Sequence, residues 1–165
     1  HSDDPSAIFF NPALINKLEG TQIQLGTTLI FPKRKFEGIL GETFKTRSDM
    51  FYPSTFYITH KFNDKVSAGL GVFNPFGLAT EWPDNWVGRY ITTKAEMTTY
   101  NINPVFSLQI TPEISVAAGL NFLMLDATLE KKINLSPDGN QKFKGDGNGV
   151  GYNMGFLLNL VKIFL

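Results

Sequence analysis

The sequence predicts an all-β chain that forms the wall of an antiparallel barrel, and three observations carry that prediction. Apolar residues recur at every second position through most of the 165 residues, the period of a strand with one greasy and one polar face. The links between these segments alternate between tight turns and long loops. No apolar run approaches the roughly 18–20 residues of a transmembrane helix. The richest, Ile114 to Leu125, is interrupted by Ser115 and Asn121.

The elements follow in order. Residues 4–20, "DPSAIFFNPALINKLEG", have two prolines and neither a helical nor a strand period. Asn11-Pro12 within them reads as a turn. The first strand, 22–31, sets Ile23, Leu25, Leu29 and Phe31 against Gln22, Gln24, Gly26 and Thr28. A long link, 32–53, leads to a weaker second strand, 55–62, with Phe56, Ile58 and Phe62 on one side. Asn63-Asp64-Lys65 is a tight turn into the third strand, 66–73, where Val66, Ala68, Leu70 and Val72 oppose Ser67, Gly69 and Gly71. Asn74-Pro75-Phe76-Gly77 then breaks the pattern, because Pro75 has no ladder donor and Gly77 packs nothing. A second long link covers about 76–92.

The fourth strand, 101–110, alternates strictly: Ile102, Pro104, Phe106, Leu108 and Ile110 against Asn101, Asn103, Ser107 and Gln109. Thr111-Pro112-Glu113 turns tightly into the fifth, 114–131, where Leu123 and Leu125 fall on the otherwise polar side. A third long link, 134–148, precedes the sixth strand, 149–160, with Val150, Tyr152, Met154, Phe156, Leu158 and Leu160 on one face.

Alternation alone leaves the solvent open. A membrane barrel turns the apolar face to lipid, and a soluble lipid-binding barrel turns it inward. The charges concentrate in the links, Lys33 to Arg47 in the first and Lys142, Lys144 and Asp146 in the third, and this favours the membrane version with its long loops on one side. Fifteen Phe also need a large buried or lipid-facing surface. Fifteen basic residues balance fifteen acidic ones, which argues against a nucleic-acid partner. The chain has no Cys, His60 has no second His at metal-ligand spacing, and no nucleophile-elbow motif occurs. Asp126 and Glu130, four apart on a strand, stand roughly 13 Å from each other, too far for a glycosidase-type pair. Neither an enzyme, a metal nor a cofactor is expected.

In order and at fitting spacing, three stretches resemble one family. They are "DPSAIFFNPALI", "GLGVFNPFGLATEWPDNWVGRY" and "TTYNINPVFSLQITPEISVAAGLNFLMLDATLEKKI". The family is FadL/TodX, outer-membrane transporters of long-chain fatty acids and other hydrophobic compounds. Asn11-Pro12-Ala13 and Phe76 to Thr80 are the most specific pieces. The resemblance implies a fourteen-stranded transmembrane barrel in the outer membrane of a Gram-negative bacterium. It implies that residues 1–19 belong to an N-terminal hatch that includes Asn11, Pro12 and Ala13, and that 20–165 supply the first six strands. It implies an inward kink in the third strand at Asn74, Pro75, Phe76 and Gly77, opening a side port for lateral release into lipid. Lys131 stands where the family has an Arg, and as a lone cation it keeps charge without the bidentate fork. Phe73 and Leu123 are expected at the substrate site. The partners implied are membrane lipid, a hydrophobic small molecule and the outer-membrane assembly machinery.

Two features depart from the family pattern. The apolar stretch that reaches into the binding slot is missing before His1, and six strands are too few for the barrel, so the chain reads as an N-terminal fragment. The link 134–148 is short and polar where the family carries apolar helical structure. A structural outer-membrane barrel without substrate is the other rival, and it predicts an unkinked third strand.

Overall fold

The alternating segments pair as one antiparallel sheet in a computed structural model that describes residues 4–47 and 50–159. His1, Leu160 of the sixth expected strand and the closing "VKIFL" lie outside the described residues. A helix α1 (Ala7–Phe10) and a 3-10 helix (Pro12–Lys17) come first. The strands are β1 (Thr21–Thr27), β2 (Lys35–Glu37), β3 (Thr43–Lys45), β4 (Ser54–Lys61), β5 (Val66–Phe73), β6 (Gly77–Glu81), β7 (Lys94–Gln109), β8 (Ile114–Ile133) and β9 (Gly139–Leu158). The sheet order is β1-β4-β5-β7-β8-β9, with β6 also on β7 and β2-β3 a separate ribbon.

The two tight turns form where expected, each closed by a polar side chain. Asn63 Oδ1 accepts from the Lys65 and Val66 amides at 2.9 and 3.0 Å, an Asx turn. The Thr111 hydroxyl accepts from the Ile114 amide at 3.2 Å. Both turns lie at one end of the sheet, and the long links lie at the other.

Those long links hold more strand than their composition predicts. Link 32–53 contains the β2-β3 ribbon, and 76–92 contains β6. The expected loop 134–148 is mostly β9, which runs in unbroken register from Gly139 opposite Ile133 to Leu158 opposite Ile114. Gly, Asn and Asp are depleted in strands, so "DGNQKFKGDGNG" reads as a loop in isolation. Pairing with β8 decides otherwise. Twenty residues rise roughly 66 Å, so β8 and β9 project well past a bilayer that about 9–11 tilted residues cross.

The N-terminal segment identifies the inner face. Ile8, Ile15 and Leu18 bury against Tyr57, Phe73 and Val105. Asn16 Nδ2 donates to Ser107 Oγ at 2.8 Å, and Asn11 Nδ2 donates to the Phe156 carbonyl at 2.9 Å. The 3-10 helix touches β4, β5, β7, β8 and β9. Those five strands span roughly 19 Å when laid flat, whereas six residues of 3-10 helix are about 12 Å long. The sheet therefore curls around the segment. Gly155 makes the contact possible, since a Cβ there would lie 2.5 Å from Asn11 Oδ1 and 2.8 Å from the Ala13 amide nitrogen.

The face bearing this segment is the polar one. Ser67, Ser107 and Asn103 on it are fully buried, whereas Phe106 is 52% and Phe156 59% exposed on the opposite face. A soluble lipid-binding barrel needs Ile102, Phe106, Leu108, Phe156 and Leu158 inside. All five lie on the outer face instead, the last four of them exposed.

Pro104 sits mid-sheet between two partner strands, where its missing N–H removes a ladder bond. Asn103 Nδ2 donates to the Leu120 carbonyl at 2.6 Å, and so satisfies the acceptor that Pro104 leaves.

Candidate functional site

The break after β5 is a one-residue β-bulge. Phe73 faces Asn101 on β7, and Gly77 faces Thr98. Four steps on one strand therefore match three on the other, which is the definition of a bulge. The extra residue reverses the alternation, so Gly77, Ala79 and Glu81 on β6 share the outer face with Thr98 and Glu96. Side chains replace the lost ladder bonds. Asn74 Nδ2 donates to the Thr99 carbonyl at 2.7 Å, and the Phe76 amide donates to Thr99 Oγ1 at 2.9 Å. Asn74 Oδ1 accepts from the Ser54 amide on β4 at 3.0 Å.

Two cavities meet at this break on the inner side. One of about 430 Å³ is lined by Phe9, Phe73, Pro75, Phe76 and Leu123, and beside them by Asn101, Asn103, Asn121 and Asn153. The other, about 320 Å³, shares Phe9, Phe73 and Pro75 and adds Phe10, Tyr57 and Asn74. Phe9 stands edge-on to Phe73 at 5.0 Å, and Tyr57 stacks on Phe73 at 5.9 Å. The four asparagines bond among themselves, Asn101 to Asn121 at 2.8 Å and Asn103 to Asn153 at 3.1 Å. Among the described residues no charged side chain lines the larger cavity. Its mixed lining suits an apolar body that carries an uncharged hydrogen-bonding group.

The residues expected at the site divide. Phe73, Leu123, Pro75 and Phe76 come together at the larger cavity. Asn74 joins the smaller one. Gly77 lies one step on, at the start of β6 on the outer face. Asn11, Pro12 and Ala13 begin the 3-10 helix, with Asn11 Oδ1 accepting from the Ala13 amide at 3.1 Å, and they rest on Gly155 rather than on the cavity. Lys131 is eight residues along β8 from Leu123, roughly 26 Å, opposite Gln141. It stands on the inner face near the far end of the ribbon. On neighbouring Lys132, Asp84 and Asn140 hold the amine at 3.1 and 2.7 Å.

Sequence reasoning had no site role for Phe9 or the asparagine quartet. The period placed the asparagines on the polar face, but only strand register brings residues 101, 121 and 153 side by side. At the long-link end, Trp82 stacks on Trp86 at 4.6 Å, and Phe36 of β2 meets Trp86 edge-on at 5.8 Å. Asp138 accepts from Arg89 at 2.8 Å and from the Tyr90 hydroxyl at 2.9 Å. These two donors, Arg89 first, hold its carboxyl below the ordinary value. The clasp therefore keeps its charge at neutral pH and loosens only as pH falls through that lowered value.

A family model described as "Outer membrane protein transport protein (OMPP1/FadL/TodX)" matches residues 1–164. An outer membrane protein of Neisseria meningitidis serogroup B is 33% identical over 97 residues, 53% of this chain and 21% of that protein. The long-chain fatty acid transport protein of Escherichia coli strain K12 is 24% identical over 134 residues, 79% of this chain and 30% of that protein. The crystal structure of the Pseudomonas putida toluene transporter TodX superposes with a TM-score of 0.81 at 17% identity, covering 96% of this chain and 48% of that one. The chain thus spans less than a third of these two relatives' length and about half of the solved one.

Proposed function

The chain belongs to the OMPP1/FadL/TodX family of outer-membrane transport proteins, and from that premise we propose that it carries hydrophobic compounds across the outer membrane and releases them sideways through the break after β5. It is an outer-membrane protein, and its strands form part of an antiparallel transmembrane β-barrel. Long-chain fatty acids and monoaromatic hydrocarbons are the substrate classes that the names of its relatives carry. Both fit an apolar cavity rimmed by amides. Transport of this kind needs no catalytic group.

The single observation that carries the reading is the bulge. The cavity lined by Phe73, Phe76 and Leu123 adjoins the one place where β5 stops pairing with β7 and β6 takes over in a shifted register. In this reading residues 4–19 act as the hatch over that cavity, and the rest of the chain is barrel wall. Lys131, at the far end of the inner face, offers a charge-assisted contact to a carboxylate on its way in. A substrate-free structural barrel has no use for a break in its wall.

Deleting Pro75 tests the reading. It removes the extra residue and lets β5 and β6 share one register on β7. Uptake of oleate and of toluene by cells bearing the full-length protein falls about tenfold or more if release is lateral. Unchanged uptake by a folded deletion variant would sink it.

A further inference from the structure

We infer that the larger cavity selects hydrophobic compounds that carry one uncharged carbonyl oxygen, such as ketones and esters, and that the Asn153 amide is the donor that holds this oxygen. This specificity rests on the transport reading above and not on lateral release.

The orientation of that amide is set at Pro104. Pro104 stands opposite Leu120, between the pairs Ile102–Phe122 and Val105–Gly119, and gives β7 no N–H there. The Asn103 side chain donates to the Leu120 carbonyl instead, at 2.6 Å. A carbonyl only accepts, so the atom facing it is Nδ2, and this fixes which way the Asn103 amide is turned. The same Nδ2 lies 3.1 Å from Asn153, and the atom it meets there is therefore Oδ1. Asn121 Nδ2 donates to that oxygen as well, at 3.4 Å. Asn121 Oδ1 is then left to accept from Asn101 Nδ2 at 2.8 Å. One backbone carbonyl thus orients four amides.

The chain of amides ends on Asn153. Its oxygen takes two bonds, and among the described residues nothing accepts from its Nδ2. An amide whose oxygen accepts twice is polarised, which strengthens what its own N–H groups donate. Asn153 is half-buried and lines the cavity together with Phe9, Phe73 and Leu123. Asn103 is fully buried with both of its protons already used. Gly119 lets the two amides lie on bare β8 backbone, since a Cβ there would stand 2.4 Å from Asn153 Oδ1 and 3.0 Å from Asn103 Nδ2.

Three kinds of cargo answer this donor differently. A hydrocarbon gains nothing from it. A carboxylate accepts, but an anion taken out of water needs a counter-charge, and among the described residues the cavity lining has none. An uncharged carbonyl accepts and gives up far less hydration than an anion does.

The test uses the full-length protein in lipid nanodiscs, with empty discs as the blank and acetophenone, ethylbenzene and benzoate as probes. Acetophenone is ethylbenzene with a carbonyl in place of one methylene. It is expected to bind about threefold to tenfold tighter than ethylbenzene, the worth of one hydrogen bond, and benzoate more weakly than either. Asn153→Asp keeps the shape and the oxygen that faces Asn103 and Asn121, and replaces the donor by an acceptor. It is expected to cut acetophenone binding about tenfold and to leave ethylbenzene within about twofold, which also shows that the variant is folded. Equal wild-type affinities for acetophenone and ethylbenzene, tightest binding of benzoate, or an unchanged ratio in Asn153→Asp would overturn the specificity and leave transport standing. If the wild type binds none of the three, the cavity is not a substrate site and the transport reading at this cavity falls with it.

Discussion

Lys131 is the residue whose proposed role depends on charge, and its position separates that role from the cavity. It sits on the inner face about 26 Å from Leu123 and opposite Gln141, whereas the cavity lining is uncharged. A carboxylate held in that cavity by amides alone is only partly compensated for its lost water. The role proposed for the cation is therefore in capture and not at the final site. Lys131→Gln is expected to raise the half-saturating oleate concentration about threefold to tenfold, the loss of one exposed charge-assisted contact, and to leave toluene uptake unchanged. An equal effect on both would assign Lys131 to folding or pore shape. Asn74, by contrast, works through geometry: one amide spans from β4 to β7 across the bulge.

Among the elements, β9 differs most from its sequence reading. Its glycines at 145, 147, 149, 151 and 155 lie on the inner face, and they differ in what a side chain would meet there. A Cβ at Gly145, Gly147 or Gly149 would meet nothing within 4 Å, so these positions leave lumen space. Gly155 instead receives the N-terminal segment. Gly155→Val forces the start of the 3-10 helix off the wall, because two of the three nearest atoms belong to Pro12 and the Ala13 backbone. Amide exchange across Ala7–Leu18 is expected to quicken about tenfold while β7 and β8 stay protected. Gly147→Val is the control that changes neither. Slow exchange in Gly155→Val would mean that contacts elsewhere hold the segment. The strands of the regular wall were legible in the sequence because alternation is local. β6 and the outer half of β9 were not, because their residues favour loops and only cross-strand partners make them strands.

For the whole molecule, the side facing lipid decides between the two solvents that alternation allows. Phe106 is exposed on the outer face, four residues or about 13 Å along the strand from Ile110, and is expected within an outward apolar band about 25 Å tall. Phe106→Arg is expected to cost about 2–4 kcal/mol in urea unfolding from bilayers. A cost near zero would place this face in water. The candidate site was legible in part. The break at residues 74–77 and the polar side of Leu123 stood out in the sequence. Phe9 and the four asparagines did not, since residues 9, 101, 121 and 153 meet only through strand register and the docking of the N-terminal segment.

The sequence by itself determined which residues share a face, where two tight turns fall and where the regular pairing of β5 ends. Each of these depends on neighbours along the chain: a period of two, an Asx or Thr turn, a proline without its N–H. The tertiary structure decided which face is inside, because inverting a barrel leaves its alternation unchanged and only Ile8, Ile15 and Leu18 packing on Tyr57, Phe73 and Val105 breaks the tie. It also decided what packs against Gly77. Phe51 and Gly77 are 26 positions apart, and no local pattern links them. They meet because the β1-β4 hairpin, bridged at Ile30 and Phe51, reaches the outer side of a strand that a single extra residue has turned over.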